Sequence, residues 1–294
     1  MQKITNTIAK NSDGTIQINF TIPYSIIKRA QGIAANELGK DIKIEGFRRG
    51  MAPLSMTLAK IPREKLLERS LAKILPQVLA EALKTHKIKP AIYPKFELVK
   101  AIDGQDWQLR AMTCELPTVF LGNYKQTLRG ALAAKSIWVP SYGRKKKGKP
   151  KEPTLSREEK EQEVIKVLLN SIKLIIPKIL AEQEVKTRLA RLLERIEKLG
   201  LSLESYLSSI GKNIETLRTE YEKSAQDSIS LELILQRIAD EEKIEVTDKE
   251  IDAAISTSSL DRKLAEELKN PQQRKIIEGI LRRRASLDYL VSLV

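Results

Sequence analysis

Apolar and polar residues alternate regularly in the first part of the chain. Residues 15–22 carry an apolar residue at every second position, and this spacing predicts a half-buried strand. After Pro23 the apolar positions recur every three or four residues, which predicts a helix. The same helical spacing over residues 62–85 predicts a second amphipathic helix, and Pro76 inside it should kink or split that helix.

Further strands are predicted on either side of the second helix. Short apolar runs at residues 42–44, 96–101 and 106–116 fit strands, and Asp103-Gly104 is a turn signal between the last two. The mixture of strands and helices predicts an α+β first domain.

The chain reads as helical from Ser156 onward. Ser156–Glu159 and Thr247–Glu250 have the form of capping boxes, and Gly200 and Gly211 stand where helix C-caps are expected. The segment 213–243 carries a heptad-like apolar stripe. Two serines, Ser224 and Ser228, weaken that stripe, which favours packed arms over a long coiled coil.

The predicted architecture is an α+β N-terminal domain followed by an all-α, multi-helix C-terminal domain with extended arms. The expected boundaries are 1–125 for the first domain, 126–153 for a basic linker and 154–294 for the helical domain.

The net charge of +14 is unevenly distributed over the 294 residues. Residues 1–124 hold 19 basic against 11 acidic side chains, residues 125–153 hold nine against one, and residues 154–294 hold 24 against 26. A basic first part predicts a polyanionic partner, either nucleic acid or an anionic membrane. The nearly neutral second part of the chain indicates a task other than binding a polyanion.

The residues that catalysis or metal binding would need are scarce. His86 is the one histidine and is expected at a helix end, while Cys114 is the one cysteine and is expected inside a strand. Phosphate-binding glycine loops and CxxC pairs are absent from the sequence. We therefore expect no catalytic residue, no metal and no cofactor. Because the sequence shows neither a secretory signal nor a membrane span, a cytoplasmic location is expected.

One short segment concentrates features suited to docking, and we call it the arginine loop. Its eight residues are Gly46, Phe47, Arg48, Arg49, Gly50, Met51, Ala52 and Pro53. Glycine permits tight turns and proline stiffens the chain, so the segment should present its two guanidiniums and its aromatic ring together. Arginine forks match phosphate oxygens in two-point contacts. The alternative is a surface hairpin with two solvated arginines.

A second basic cluster lies in the predicted linker. Its members include Arg144, Lys145, Lys146 and Lys147. It fits either a second phosphate contact or a soluble tether, and the sequence leaves both open.

The arginine loop resembles the signature loop of the bacterial trigger factor family, which reads G-F-R-x-G-x-x-P. The segment Leu121–Lys125 resembles the end of that family's ribosome-binding domain. Residues 176–218 and 244–252 resemble its C-terminal helical domain. The likeness covers residues 1–125 and about 155–294.

The resemblance implies a ribosome-associated, ATP-independent chaperone. It implies that the arginine loop binds the ribosome, at a protein of the exit-tunnel rim and at ribosomal RNA. It also implies that the helical domain holds nascent and unfolded polypeptides, and that the protein can form a homodimer off the ribosome. No membrane partner is expected.

The chain departs from the family pattern in one respect. Family members usually carry a prolyl isomerase domain between these two parts, whereas here only residues 125–153 separate them. A segment of that length is below the roughly 40 residues that a domain needs to fold without staples. We therefore expect the isomerase domain to be missing. An RNA-binding ribosome-assembly factor and a prolyl isomerase with an unrecognised site stay open as alternatives.

Overall fold

The computed structural model describes residues 4–40, 47–48, 53–137, 156–258 and 270–293. Within these ranges the chain forms four strands and ten helices. They divide into two compact units. The first unit reaches to Leu116 and includes Pro177–Leu180, and the second comprises Pro117–Ile176 and Ala181–Val294.

A four-stranded antiparallel sheet is the centre of the first unit. Its strands are β1 (Thr5–Lys10), β2 (Thr15–Ile22), β3 (Lys95–Lys100) and β4 (Trp107–Cys114), in the order β1-β2-β4-β3. The alternation in residues 15–22 is confirmed, since every second residue of β2 is buried. The sequence did not reveal β1, because most of its residues are polar and it forms an edge of the sheet.

Three helices belong to the first unit: α1 (Tyr24–Gly39), α2 (Leu54–Lys60) and α3 (Arg63–Thr85). The core joins the inner face of the sheet to α1 and α3, with Phe20 and Trp107 almost fully buried. The prediction was that Pro76 kinks or splits the second helix; the split is wrong, because α3 is one continuous helix. Ile74 and Val78 flank this proline and are both buried in the core, so packing supports the helix where a hydrogen bond is missing.

The second unit is all-helical in the part that the structure describes. Its helices are α4 (Tyr124–Ile137), α5 (Arg157–Ser171), α6 (Lys178–Lys198, whose first residues belong to the first unit), α7 (Leu203–Ser209), α8 (Ile214–Glu241), α9 (Asp248–Ser258) and α10 (Pro271–Ser292). The linker expected at residues 126–153 is corrected at its start, because residues 126–137 continue α4. Leu128 and Leu132 lie four residues apart on one face of this helix and are buried in the core of the second unit.

The predicted caps of the second unit are present. Ser156 forms a capping box with Glu159, and the Thr247 hydroxyl and backbone N–H both bond the Glu250 carboxylate. Gly200 and Gly211 have φ angles of +70° and +63°, which is the left-handed conformation that a helix C-cap requires.

Two separate apolar clusters stabilise the second unit. The larger one joins α4, α5, α8 and α10, and the smaller one joins α6, α7 and the first half of α8. Among the described residues, no helix combines the length and apolar character that crossing a bilayer would require.

Candidate functional site

The structure describes three residues of the arginine loop: Phe47, Arg48 and Pro53. Phe47 is 40% exposed, which is unusual for a phenylalanine, and Arg48 beside it is also exposed. The other predicted members, Gly46, Arg49, Gly50, Met51 and Ala52, lie outside the described residues. The part that is described therefore presents an aromatic ring and a guanidinium side by side to solvent.

Pro53 connects the arginine loop to α2. It is the N-cap residue of this helix, and its carbonyl accepts the backbone N–H groups of Met56 and Thr57, each at 3.1 Å. The Thr57 hydroxyl donates to the same carbonyl at 3.1 Å. Met56, one turn into the helix, is 50% exposed and adds a second apolar side chain near the loop.

The segment from α1 to α2 is basic. Residues 24–60 hold seven Lys and Arg against three Asp and Glu. Glu37 is one of the three acids, and it pairs with Lys73 and Arg69 of α3 rather than with α1 or α2. The hydrogen bond from Lys73 lowers the pKa of Glu37, so this carboxylate stays ionised and committed to α3.

Several basic side chains of α1, its C-cap and α2 are not engaged by carboxylates within the described ranges. Lys28, Arg29, Lys40 and Lys60 make no ion pair with any described acid. Unneutralised cations in this segment give it a positive potential that attracts polyanions. The exposed Arg48 and this excess of positive charge are features that an anion-docking surface needs.

A second feature lies in the second unit, and we call it the α6–α8 groove. It has a volume of about 470 Å³ and is open to solvent. Its apolar lining consists of Val185, Leu189, Leu192, Leu193, Leu203, Ile214 and Leu217. The rim carries two cations, Lys186 and Arg218, and two carboxylates, Glu182 and Glu222, so its charges balance.

The groove lies in a region where large apolar side chains remain exposed. Leu193 is 41% exposed and Ile214 is 63% exposed, while Leu199, Leu201 and Ile210 around the two glycine caps are also exposed. No residue of this groove is marked by the sequence pattern. Its exposed leucines recur at the same helical spacing as buried ones, so the pattern carries no signal that separates them.

The serines of the predicted stripe also border open space. Ser224 and Ser228 line a shallow depression between α5 and α8, and Ser224 accepts a hydrogen bond from Arg188 at 2.8 Å. The stripe is therefore interrupted where it was expected to be weak.

The two residues considered for catalysis, His86 and Cys114, take part in the fold of the first unit. His86 caps the C-terminal end of α3 and lies 2.7 Å from the amide oxygen of Asn6 on β1. Cys114 is fully buried in β4, and burial raises the pKa of its thiol, so the reactive thiolate is disfavoured. Among the described residues, no cluster of three or more His, Cys, Asp or Glu could hold a metal ion. The basic cluster at Arg144, Lys145, Lys146 and Lys147 lies outside the described residues.

Two family models match the chain. The model described as bacterial trigger factor protein matches residues 4–130, and the model described as bacterial trigger factor protein C-terminus matches residues 145–292. The chain is 32% identical over 134 residues to trigger factor of Lactococcus lactis subsp. lactis, which covers 46% of this chain and 31% of that protein. It is 34% identical over 120 residues to trigger factor of Streptococcus agalactiae serotype Ia, which covers 41% and 28%.

A solved structure shares the fold. It comes from work on promiscuous substrate recognition in the folding and assembly activities of the trigger factor chaperone. The two chains superpose with a TM-score of 0.65 and 14% identity, over 98% of this chain and 99% of that one. The curated relatives are longer than the matched part, since the chain spans about a third of their length. The two family models together account for most of the sequence, and the chain belongs to the bacterial trigger factor family.

Proposed function

We propose that this protein is a ribosome-associated, ATP-independent chaperone of the cytoplasm. Its first unit docks on the ribosome through the arginine loop, and its second unit shields emerging polypeptides in the α6–α8 groove. The observation that carries the proposal is the exposure of the neighbouring residues Phe47 and Arg48 in a segment rich in Lys and Arg. The family membership supplies the nature of the partner.

The docking step follows from charge and shape. Guanidinium groups bind phosphate oxygens of ribosomal RNA, or acidic side chains of an exit-tunnel rim protein, in two-point contacts. Such contacts position a protein without reading sequence, and they weaken as salt rises. Phe47 adds an apolar contact, which salt does not weaken.

The holding step follows from the exposed apolar groove. Burial of apolar surface is non-directional, so one groove can accept many unfolded sequences. The balanced charges of Lys186, Arg218, Glu182 and Glu222 favour neither acidic nor basic clients. This step needs no nucleotide and no catalytic group.

We also propose that this chain has no isomerase domain between its two family regions. The two family models leave only residues 131–144 between them, and α4 already occupies positions up to Ile137. That interval is far below the roughly 40 residues that an independent domain needs. A protease-coupled prolyl isomerisation assay should therefore show no turnover.

Ribosome co-sedimentation tests the docking step. The loop variant replaces Phe47, Arg48 and Arg49 with alanine, and it should weaken binding about a hundredfold, since hydrogen bonds to charged groups are lost. Its salt dependence should also become shallower, by about one in the logarithmic slope per arginine removed. The matched control replaces Tyr93, Lys84 and Lys100, which are also one exposed aromatic and two exposed cations of the first unit. Equal binding by the loop variant and the wild type would rule out docking by this loop.

Light scattering of an aggregating client tests the holding step. The groove variant, Leu193→Ser with Ile214→Ser, should suppress aggregation severalfold less well than the wild type. The matched control, Ile276→Ser with Ile280→Ser, removes two isoleucines of α10 that are 57% and 51% exposed, and it should behave like the wild type. A wild-type protein that binds ribosomes but never suppresses aggregation would favour a ribosome-assembly factor.

A further inference from the structure

One close contact joins α1 and α2, the two helices that precede and follow the arginine loop in the chain. Gly39 is the last residue of α1, and Thr57 lies in the middle of α2. A Cβ atom added to Gly39 would lie only 2.5 Å from Cγ2 of Thr57, and 3.6 Å from its Cβ and Oγ1. Both residues are buried, with Thr57 only 4% exposed. The two helices therefore approach each other at a distance that only glycine permits.

Thr57 cannot easily turn away from this contact. Its hydroxyl donates to the Pro53 carbonyl at 3.1 Å, and the Ile61 backbone N–H donates to the Thr57 carbonyl at 3.1 Å. A threonine in a helix has few favourable χ1 rotamers, and rotation here would break the bond to Pro53. The methyl group thus stays directed at Gly39 while the hydroxyl holds the final residue of the arginine loop.

The contacts run in series, because Gly39 touches the Thr57 methyl group and the Thr57 hydroxyl donates to the Pro53 carbonyl. They fix the point where the backbone leaves α1 and the point where it enters α2, with residues 41–52 between them. We propose that the contact between Gly39 and Thr57 is the base that positions the arginine loop, which makes both residues positioning residues for ribosome docking. This inference rests on the proposed function.

The physical reason is preorganisation. A loop whose ends are fixed loses less conformational freedom when it docks, so less of the binding free energy is spent on ordering it. A wider spacing between α1 and α2 would leave Phe47 and Arg48 chemically intact but poorly aligned with their partner. Gly39 and Thr57 act without touching the ribosome themselves.

The test is a double-variant cycle on ribosome affinity in the full chain. Gly39→Ala should weaken binding about tenfold, because the added methyl group pushes α2 away from α1. Thr57→Ser alone should weaken binding only slightly, about twofold, since serine keeps the hydrogen bond to Pro53 and loses only the Cγ2 contact with Gly39. Thr57→Ser combined with Gly39→Ala should restore most of the lost affinity, because the clashing atom is gone.

A second readout separates positioning from simple loss of stability. Hydrogen exchange of the peptide spanning residues 40–53 should accelerate in Gly39→Ala and return towards the wild-type rate in the double variant. Ile18→Val serves as the stability control, since Ile18 is fully buried in β2, outside the loop base. It should lower the melting temperature of the first unit without changing ribosome affinity.

If Gly39→Ala fails to fold, Thr57→Val takes its place. Valine keeps a methyl group against Gly39 but loses the hydrogen bond to Pro53, so binding should weaken and loop exchange should accelerate. Unchanged affinity in Gly39→Ala or in Thr57→Val, or no rescue by Thr57→Ser, would overturn the inference. A wild-type protein that does not bind ribosomes would instead overturn the proposed function.

Discussion

The two units expose apolar side chains for different reasons. The first unit has one core between a sheet and two helices, and its exposed Phe47 stands in a segment rich in Lys and Arg. The second unit has two smaller clusters and leaves Leu193 and Ile214 exposed beside a groove with balanced charge. If the first unit attaches and the second unit holds clients, as we propose, the two tasks use opposite surfaces, one charged and the other apolar and open.

The units also differ in how polar contacts support them. In the second unit Glu242, at the end of α8, accepts hydrogen bonds from Tyr124 and Tyr289, both at 2.8 Å, and pairs with Lys125 at 2.6 Å. This one carboxylate therefore joins α4, α8 and α10. The ion pairs of the first unit, such as Lys10 with Glu115, lie at its surface and contribute little to stability.

The largest expected effect comes from a core substitution that should destabilise the first unit alone. Phe20→Ala removes a ring that is 1% exposed in β2 and should destabilise the first unit by about 3–5 kcal/mol. Calorimetry should show a lower melting temperature for the first unit and an unchanged transition for the second. Tyr93→Ala, at a site that is 72% exposed, is the matched control and should change neither. If both transitions shifted with Phe20→Ala, the units would not be independent.

The next effect depends on pH and concerns Glu242. The bond from Lys125, with those from Tyr124 and Tyr289, lowers the pKa of this carboxyl from 4.5 to about 2. Because the pKa is lower in the folded state, the stabilisation is complete above about pH 5 and is lost as the pH falls through 4.5 towards 2. Its size is about 1–2 kcal/mol, because Lys125 is 41% exposed and solvent screens its charge.

Chemical denaturation of wild type and Glu242→Gln between pH 7 and pH 3 measures this contribution. The variant should be less stable at pH 7, and the difference from wild type should shrink as the pH falls. A difference that stays constant with pH would show that the charge of Glu242 does not stabilise the second unit.

A smaller effect is expected at the start of α8, beside the groove. The Asn213 side chain accepts the Thr216 backbone N–H at 2.7 Å, and the Thr216 hydroxyl accepts the Asn213 backbone N–H at 3.1 Å. Asn213→Ala should cost about 1 kcal/mol. Thermal unfolding should detect this loss, whereas Thr219→Ala, an exposed position one turn further along α8, should stay within about 0.5 kcal/mol of wild type.

Sequence patterns were sufficient to predict the helices and strands that have one buried face. The alternation of β2 and the helical spacing of α1 and α3 correctly predicted these elements, because burial on one side imposes the period. The edge strand β1 escaped notice because a strand with one neighbour needs few apolar residues. Pro76 does not split α3, because tertiary packing can outweigh one lost hydrogen bond.

The sequence also indicated the arginine loop but could not reveal its base. The glycines and arginines of the loop are visible as letters, whereas the contact of Gly39 with Thr57 depends on how α1 and α2 pack. The α6–α8 groove was hidden for a similar reason. A leucine of a helix looks the same in a sequence whether it is buried, as Leu192 is, or exposed, as Leu193 is.

The central claim is that docking and holding belong to different units. Its most direct test is the ribosome affinity of the loop variant and the groove variant, measured side by side with the wild type. We expect a loss of about a hundredfold for the loop variant and of less than about twofold for the groove variant. Equal losses in the two variants, or a loss in the groove variant alone, would contradict it.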